Sequence, residues 1–174
     1  MSYRPITDTW ILARPKVKYY GAYPSGFLER ARALLGVTID DSVLHVCSGM
    51  VKGYPFRGRG INDMTVDLNR DLNPDFVADV RKEIPAQKNG WKAILCDPPY
   101  TEDDAEHYNA RQVFPKSGKL VADCIKAVRV GGRVGILHYE WPRPPVNARS
   151  VAVVGVLVGF SNRIRCYSVF ERIT

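Results

Sequence analysis

The segment ILCDPPYTEDD, residues 94–104, places an aspartate, two adjacent prolines and a tyrosine directly after an apolar run typical of a buried β-strand. Proline fixes its backbone φ angle and has no N–H, so the carbonyls of Pro98 and Pro99 point in set directions. The Asp97 carboxylate and a proline carbonyl therefore form a rigid pair of hydrogen-bond acceptors for an NH₂ group. Tyr100 adds a flat face for ring stacking, a contact worth about 1–3 kcal/mol per base.

Such an acceptor pair predicts activation of an aromatic amine. The NH₂ group of a nucleobase is a poor nucleophile because its lone pair is delocalised into the ring. Two acceptors that bind its hydrogens favour the pyramidal form, in which the lone pair can attack. A base must leave its duplex stack, or come from a single strand, to reach such a site.

The elements that position this segment are predicted from apolar runs and turn residues. They indicate an α/β fold with a mostly parallel sheet of seven strands, at 42–47, 64–68, 76–80, 92–97, 133–139, 151–159 and 163–171. Only residues 160–162 separate the last two strands, so these pair as an antiparallel hairpin. Only NRDLNP separates the second and third, so the crossover helices are abbreviated and one face of the sheet is open to a partner.

Two helices are expected beside the sheet. One begins at Ser25 as N-cap and ends at Gly36, with Phe27, Leu28, Ala31, Leu34 and Leu35 on one apolar face. The other covers about 117–129 and ends at the glycines of VGGR.

Length and composition predict one domain. The 174 residues, 45% of them hydrophobic, suffice for a core over 24–174, preceded by an N-terminal arm or lid at 1–23 and without a separate target-recognition domain. The longest apolar run, 151–160, is too short to span a bilayer, which predicts a soluble cytoplasmic protein. The scattered cysteines predict buried free thiols at Cys47, Cys96, Cys124 and Cys166.

Polar residues follow four of the predicted strands, where open α/β sheets bind ligands. Gly49 follows the first strand and lets a ligand approach the backbone, although a glycine there also suits an ordinary turn. Asp67 ends the second strand, where a carboxylate can accept both hydroxyls of a ribose. Asp79 in the third lies within reach of an adenine amino group, and Asp97 follows the fourth. Three carboxylates in register favour a ligand site over three unrelated turn residues.

These residues resemble the class I S-adenosylmethionine-dependent amino-methyltransferases, whose hallmark (D/N/S)PP(Y/F/W) after the fourth strand is Asp97, Pro98, Pro99 and Tyr100 here. The resemblance covers roughly residues 23–171 and implies a Rossmann-like fold with S-adenosylmethionine as cofactor. The cofactor residues that it implies are Tyr23, Ser25, Cys47, Ser48, Gly49, Asp67, Asp79, Val80 and Asp97. The start of the first helix, with Ser25 as its N-cap, accounts for the presence of Tyr23 and Ser25 equally well.

The sequence departs from the family in three respects. His45 replaces the usual acidic residue of the first strand, the segment CSGMVKG lacks a fuller GxG, and no target-recognition domain is present. Because it lies within a predicted strand, His45 is expected in the core. His107 follows the DPPY segment and is expected on the surface. No grouping of His, Cys and Asp has metal-ligand spacing, so no catalytic metal is predicted.

Family members with DPPY chiefly methylate adenine N6, which implies DNA or RNA as the substrate. The formal charge of +7, the pI near 9.3 and the basic, aromatic segments at 13–20 and 52–60 suit a nucleic-acid partner. Target choice then comes from loops, another subunit or a second copy of the chain.

Two other hypotheses stay open. One is a methyltransferase of a protein or small-molecule amine, which a pocket closed by the 139–145 loop and too narrow for a nucleotide would favour. In that loop, Tyr139, Trp141 and Arg143 suit the wall of a substrate pocket, the stacking of a second base and ordinary loop packing alike. The other is a non-catalytic subunit that keeps the cofactor fold within a modification complex. A nicotinamide-cofactor protein is disfavoured because no GxGxxG follows the first strand.

Overall fold

One mixed β-sheet organises the chain in the computed structural model, which describes residues 4–15, 17, 21–53, 58–108, 110, 114–159, 161 and 163–174. The strands are β1 (Ile6–Leu12), β2 (Val43–Val46), β3 (Met64–Asp67), β4 (Phe76–Val77), β5 (Trp91–Cys96), β6 (Val128–His138), β7 (Ala148–Val158) and β8 (Ile164–Arg172). The α-helices are α1 (Phe27–Leu35), α2 (Glu102–His107) and α3 (Ser117–Ala127), and single 3₁₀ turns cover Val51–Gly53 and Arg70–Leu72.

The strand order is β1-β7-β8-β6-β5-β2-β3-β4. Only β8 pairs antiparallel to its neighbours, so the predicted mostly parallel sheet with a C-terminal hairpin is confirmed. From β2 the chain proceeds to β3 and β4 on one side and then returns to β5 on the other. This reversal between β2 and β5 is the place where open α/β sheets bind ligands.

The sheet has an eighth strand that the sequence did not predict. Residues 1–23 were expected to form an arm or lid, but Ile6–Leu12 pairs in parallel with β7 at the edge of the sheet. Its sequence, ITDTWIL, lacks the regular alternation of apolar and polar residues that identifies a half-buried strand. Within the strand only Trp10 and Leu12 are buried. Trp10 packs against Phe27 and Tyr167, with ring centroids 6.3 and 5.9 Å away.

The start of α1 differs from the prediction, whereas its end agrees. The N-cap is Gly26, in the left-handed region at φ 79°, and not Ser25, whose N–H donates to the Ala13 carbonyl. Because Gly26 carries no side chain, no side-chain cap bond forms. Gly36 ends the helix at φ 69°, as predicted.

The junction of α3 and β6 also differs. The helix ends at Ala127, and Val128 already has extended dihedrals. Gly131 and Gly132 lie inside β6 and do not cap the helix, because pairing with β5 begins at Val128 and continues past an irregularity. The predicted strand at 76–80 is reduced to the two residues of β4, since the chain turns at Asp79.

The core lies on both faces of the sheet. One cluster packs α1 against the sheet around Phe27 and Tyr167, and the other packs α3 around Trp91 and Phe170. All four cysteines are free thiols, as predicted: Cys96 and Cys124 are buried, and Cys47 and Cys166 are half-buried. No helix in the described part of the chain is long and apolar enough to cross a membrane.

A buried carboxylate joins α1, β2 and the segment before β3. Asp63 accepts two hydrogen bonds from Arg32 Nη1, at 2.8 and 2.7 Å, and contacts His45 Nε2 at 3.0 Å. The backbone amides of Val43 and Gly60 also donate to it. Burial alone would raise the pKa of Asp63, but the bonds from His45, Arg32 and Gly60 outweigh it and lower that pKa. His45 is thus a core residue, as predicted.

Removal of this carboxylate is expected to destabilise the protein strongly. Asp63→Ala leaves the Arg32 guanidinium buried without its counter-ion, which costs about 3–5 kcal/mol of unfolding free energy. Asp123→Ala is the control, because Asp123 pairs with the exposed Lys119 and Lys126, and such pairs contribute at most about 1 kcal/mol. Urea unfolding followed by circular dichroism measures both changes, and equal effects would contradict the assignment.

Candidate active site

The carboxyl ends of β2, β3 and β5 bring the predicted ligand residues together at one edge of the sheet. They line a first cavity of 360 Å³. Of the predicted residues, the wall contains Tyr23, Cys47, Ser48, Gly49, Asp67, Asp79, Val80, Asp97 and Pro99. Ser25 is not among the lining residues.

The turn after β2 carries the first part of this cavity. Cys47 adopts φ 56°, a left-handed conformation that is unusual for a residue with a side chain and costs about 1–3 kcal/mol. Gly49 donates its N–H to Asp67 Oδ2, and Asn69 donates its N–H to Asp67 Oδ1, each at 2.9 Å. Two backbone amides therefore hold the Asp67 carboxylate at the cavity wall.

This turn fits the cofactor that the resemblance implies. The Ser48 hydroxyl is buried and has no hydrogen-bond partner among the described residues, although it lines the cavity. A Cβ atom added at Gly49 would meet nothing within 4 Å, so open space adjoins the backbone there. A polar ligand in the first cavity would satisfy the Ser48 hydroxyl and pass close to Gly49.

Asp79 has a partner of its own. Its carboxylate accepts hydrogen bonds from the amide, Nε and Nη2 of Arg81, at 3.1, 3.0 and 2.8 Å. These bonds hold the pKa of Asp79 below its usual value. Asp79 therefore lines the cavity as an ionised carboxylate paired with Arg81, and its contact to an adenine ring stays a prediction.

Asp97 follows β5, and its carboxylate has a raised pKa. Burial raises its pKa to about 6, against the opposing effects of the Tyr100 hydroxyl and the Arg165 charge. The Tyr100 hydroxyl donates to Asp97 Oδ1 at 2.7 Å. Burial and the neighbouring Asp97 raise the pKa of Tyr100 well above its usual value, so this hydroxyl stays protonated and keeps its donor role.

A second cavity, of 520 Å³, shares part of its lining with the first. Asp97 and Pro99 line both cavities, as do Gly21 and Tyr108. The second cavity is also lined by Arg14, Pro98, Tyr100, Tyr139, Arg163 and Arg165. Asp97 and Pro99 are thus a shared wall, at which ligands in the two cavities would meet.

The Tyr100 ring belongs to a small aromatic group at this wall. Its centroid lies 4.7 Å from that of Tyr139, and the His138 ring meets it edge-on at 5.4 Å. Glu140 donates its N–H to His138 Nδ1, so the proton of the neutral imidazole is on Nε2. Burial lowers the pKa of His138, which keeps this imidazole neutral.

The loop after β6 forms only a small part of the wall of the second cavity. Only Tyr139 of the three residues considered there lines the second cavity, whereas Trp141 is 59% exposed and Arg143 is also exposed. His107 is exposed at the end of α2, as expected.

Arg163, just before β8, and Arg165, within β8, were missed as site residues. Residues two apart in a strand share a face, and the antiparallel β8 begins at the edge where β5 ends. The spacing of Arg163 and Arg165 therefore carried a usable signal.

The fold is similar to that of solved methyltransferase structures. No protein-family model matches the chain, and no curated protein matches its sequence. TrmN from Thermus thermophilus aligns with a TM-score of 0.55 at 16% identity over 84% of this chain, which spans about half of TrmN (48%). A SAM-dependent methyltransferase from Aquifex aeolicus aligns at 0.54 and 14% identity, over 85% of this chain and 90% of that one.

A third solved structure of a methyltransferase also aligns with this chain. The N-methyltransferase NodS from Bradyrhizobium japonicum aligns with a TM-score of 0.52 at 10% identity, over 84% of this chain and 96% of NodS. The chain has the fold of the S-adenosylmethionine-dependent methyltransferases. At these identities the likeness shows the fold.

The pKa of Asp97 is expected to respond to Arg165. Its carboxylate should titrate near pH 6, and Arg165→Met should raise this pKa further, because a nearby positive charge favours the ionised form. Arg149→Met is the control, since Arg149 pairs with Glu171 at the start of β7, at the opposite edge of the sheet. Carboxyl ¹³C chemical shifts followed against pH measure the pKa. A titration near pH 4 in the wild type, or no change in Arg165→Met, would contradict this geometry.

Proposed function

We propose that the protein is an S-adenosylmethionine-dependent N-methyltransferase that transfers the methyl group in line to an aromatic amine, namely N6 of adenine in DNA or RNA. The observation that carries this proposal is the shared wall, because Asp97 and Pro99 line both cavities. The cofactor belongs in the first cavity and the acceptor base in the second. The methyltransferase fold supports the cofactor assignment.

The residues of the first cavity would hold the cofactor by its polar parts. Ser48 and Gly49, with Tyr23 of the same cavity wall, suit the methionine portion, and Asp67 suits the ribose hydroxyls. Asp79 and Val80 suit the adenine ring. When bound, S-adenosylmethionine supplies an electrophilic methyl group on a sulfonium.

The second cavity would prepare the nitrogen that accepts this group. The Asp97 carboxylate and the Pro98 carbonyl accept the two N–H bonds of the amine, which favours a pyramidal nitrogen with an available lone pair. A nitrogen that gains a methyl group becomes cationic and must lose a proton. Asp97 can accept this proton, because its pKa of about 6 makes it a stronger base than an exposed carboxylate.

Tyr100 has a double role in this proposal. Its hydroxyl fixes Asp97 by the hydrogen bond to Oδ1, and its ring, with that of Tyr139, offers an aromatic face for the base. Three arginines line the same cavity and disfavour a cationic alkylammonium, which weakens the hypothesis of a lysine-like acceptor. Selection of a target sequence by loops, a second copy or another subunit stays a prediction.

Methyl transfer is expected to depend on Asp97. The protein is incubated with S-adenosylmethionine and, separately, single-stranded DNA, duplex DNA and RNA, and the digested nucleosides are analysed by mass spectrometry. We expect N6-methyladenosine or its deoxy form with the wild type, and a rate lower by about 10²–10⁴-fold for Asp97→Asn, the usual contribution of a general base.

Asp103→Asn is the matched control, because Asp103 is an exposed residue of α2 that lines neither cavity. Its rate should equal that of the wild type. A wild-type rate for Asp97→Asn would refute the mechanism, and the absence of N6-methylated adenine from all three polymers would refute the acceptor.

A further inference from the structure

The edge strand β1, which the sequence did not predict, brings Arg14 to the second cavity. Because β1 is parallel to β7, both strands end at the edge where Asp97 lies. Arg14 follows β1, and its Nε donates to the carbonyl of Gly159, just after β7, at 3.1 Å. The Gly159 amide in turn donates to the Leu12 carbonyl at 3.2 Å. The pairing of β1 with β7 therefore fixes Arg14 on the cavity wall.

A second arginine reaches the same cavity from the start of β8. Arg163 donates from Nη1 to the Tyr139 hydroxyl at 3.2 Å and lies 4.0 Å from Asp104. Its side chain is 64% exposed, and Arg14 is also exposed, whereas Asp97 and Tyr100 are partly buried. The exposed arginines thus surround the opening of the cavity, and the carboxylate with its tyrosine lies deeper.

The charge of this cavity favours an anion. Among the residues that the structure describes, its lining contains three arginines and two aspartates, so this part of the wall stays net positive even when Asp97 and Asp104 are both ionised. A concave site with a net positive charge concentrates anions. The planar guanidinium matches phosphate oxygens in a bidentate fashion, which a lysine does not.

We propose that Arg14 and Arg163 form a phosphate-binding subsite, which holds the backbone phosphate beside the nucleotide whose base lies at Tyr100 and Asp97. This inference rests on the proposed function and adds a site to it. The cavity volume of 520 Å³ falls within the usual range of ligand sites, about 300–1,000 Å³. The role of β1 is then to supply one half of the subsite.

The test measures binding of a fluorescently labelled single-stranded oligodeoxynucleotide by anisotropy, without cofactor and at several salt concentrations. Arg14→Gln and Arg163→Gln should each lower the affinity about fivefold at 0.1 M salt and reduce the slope of log K against log salt by about 0.7, the contribution of one phosphate contact on a single strand. Arg129→Gln is the control. It removes the same charge at an exposed position near the start of β6, at the opposite edge of the sheet.

Competition separates phosphate recognition from recognition of the base. Adenosine monophosphate should displace the oligonucleotide from the wild type better than adenosine does, and this difference should shrink in Arg163→Gln. Equal competition by the two compounds, or an equal loss of affinity in Arg129→Gln, would overturn the subsite.

The two proposals fail in different ways. If all three variants bind like the wild type while N6-methyladenine still forms, the subsite is wrong and the proposed function stands. If Arg14→Gln and Arg163→Gln bind more weakly but no adenine is methylated by the wild type, the subsite stands and the proposed acceptor is wrong. Melting temperatures equal to that of the wild type show that the variants are folded.

Discussion

Parallel pairing of β2 with β3 on one side and with β5 on the other determines where Ser48, Asp67 and Asp97 lie. Because these strands run in the same direction, the chain leaves each of them at the same edge of the sheet. Ser48, Asp67 and Asp97 therefore meet around one point, although they are distant in the sequence. The buried network of Asp63 with Arg32 and His45 links β2 to α1 and to the segment before β3. Stability and site geometry thus depend on the same strands.

Opposing electrostatic effects set the state of Asp97. Burial raises its pKa and would tend to neutralise it, whereas the Tyr100 hydroxyl and the Arg165 charge favour the ionised form. At a pKa of about 6 the carboxylate is ionised at neutral pH and is still a better proton acceptor than an exposed aspartate. The second cavity therefore combines a moderately basic carboxylate with a positively charged surround, which suits a neutral amine carried by an anionic molecule.

The sequence predicted those parts of the fold that depend on local patterns. The apolar runs of β2, β3, β5 and β7 and the motif at 97–100 are continuous segments, and the short connection before β8 requires an antiparallel hairpin. Strand ends then predicted the residues around the first cavity. Ser25 failed as an N-cap because the neighbouring Gly26 takes the left-handed conformation at the helix start.

Features that depend on long-range packing were missed. β1 is an edge strand with one narrow buried stripe, and only its pairing with β7 identifies it. The hydrogen bond from Arg81 to Asp79 and the position of Arg165 beside Tyr100 likewise depend on tertiary geometry. For the same reason the place of Arg14 in the second cavity came from the structure and not from the sequence.

Calorimetric titration with S-adenosylmethionine tests most directly whether the first cavity, and not the second, holds the cofactor. The account predicts one binding site, weakened about tenfold or more in Asp67→Asn, because a hydrogen bond to a charged group contributes about 1.5–3 kcal/mol. Arg163→Gln, in the second cavity, should bind the cofactor like the wild type. No binding to the wild type, or a loss in Arg163→Gln and none in Asp67→Asn, would contradict it.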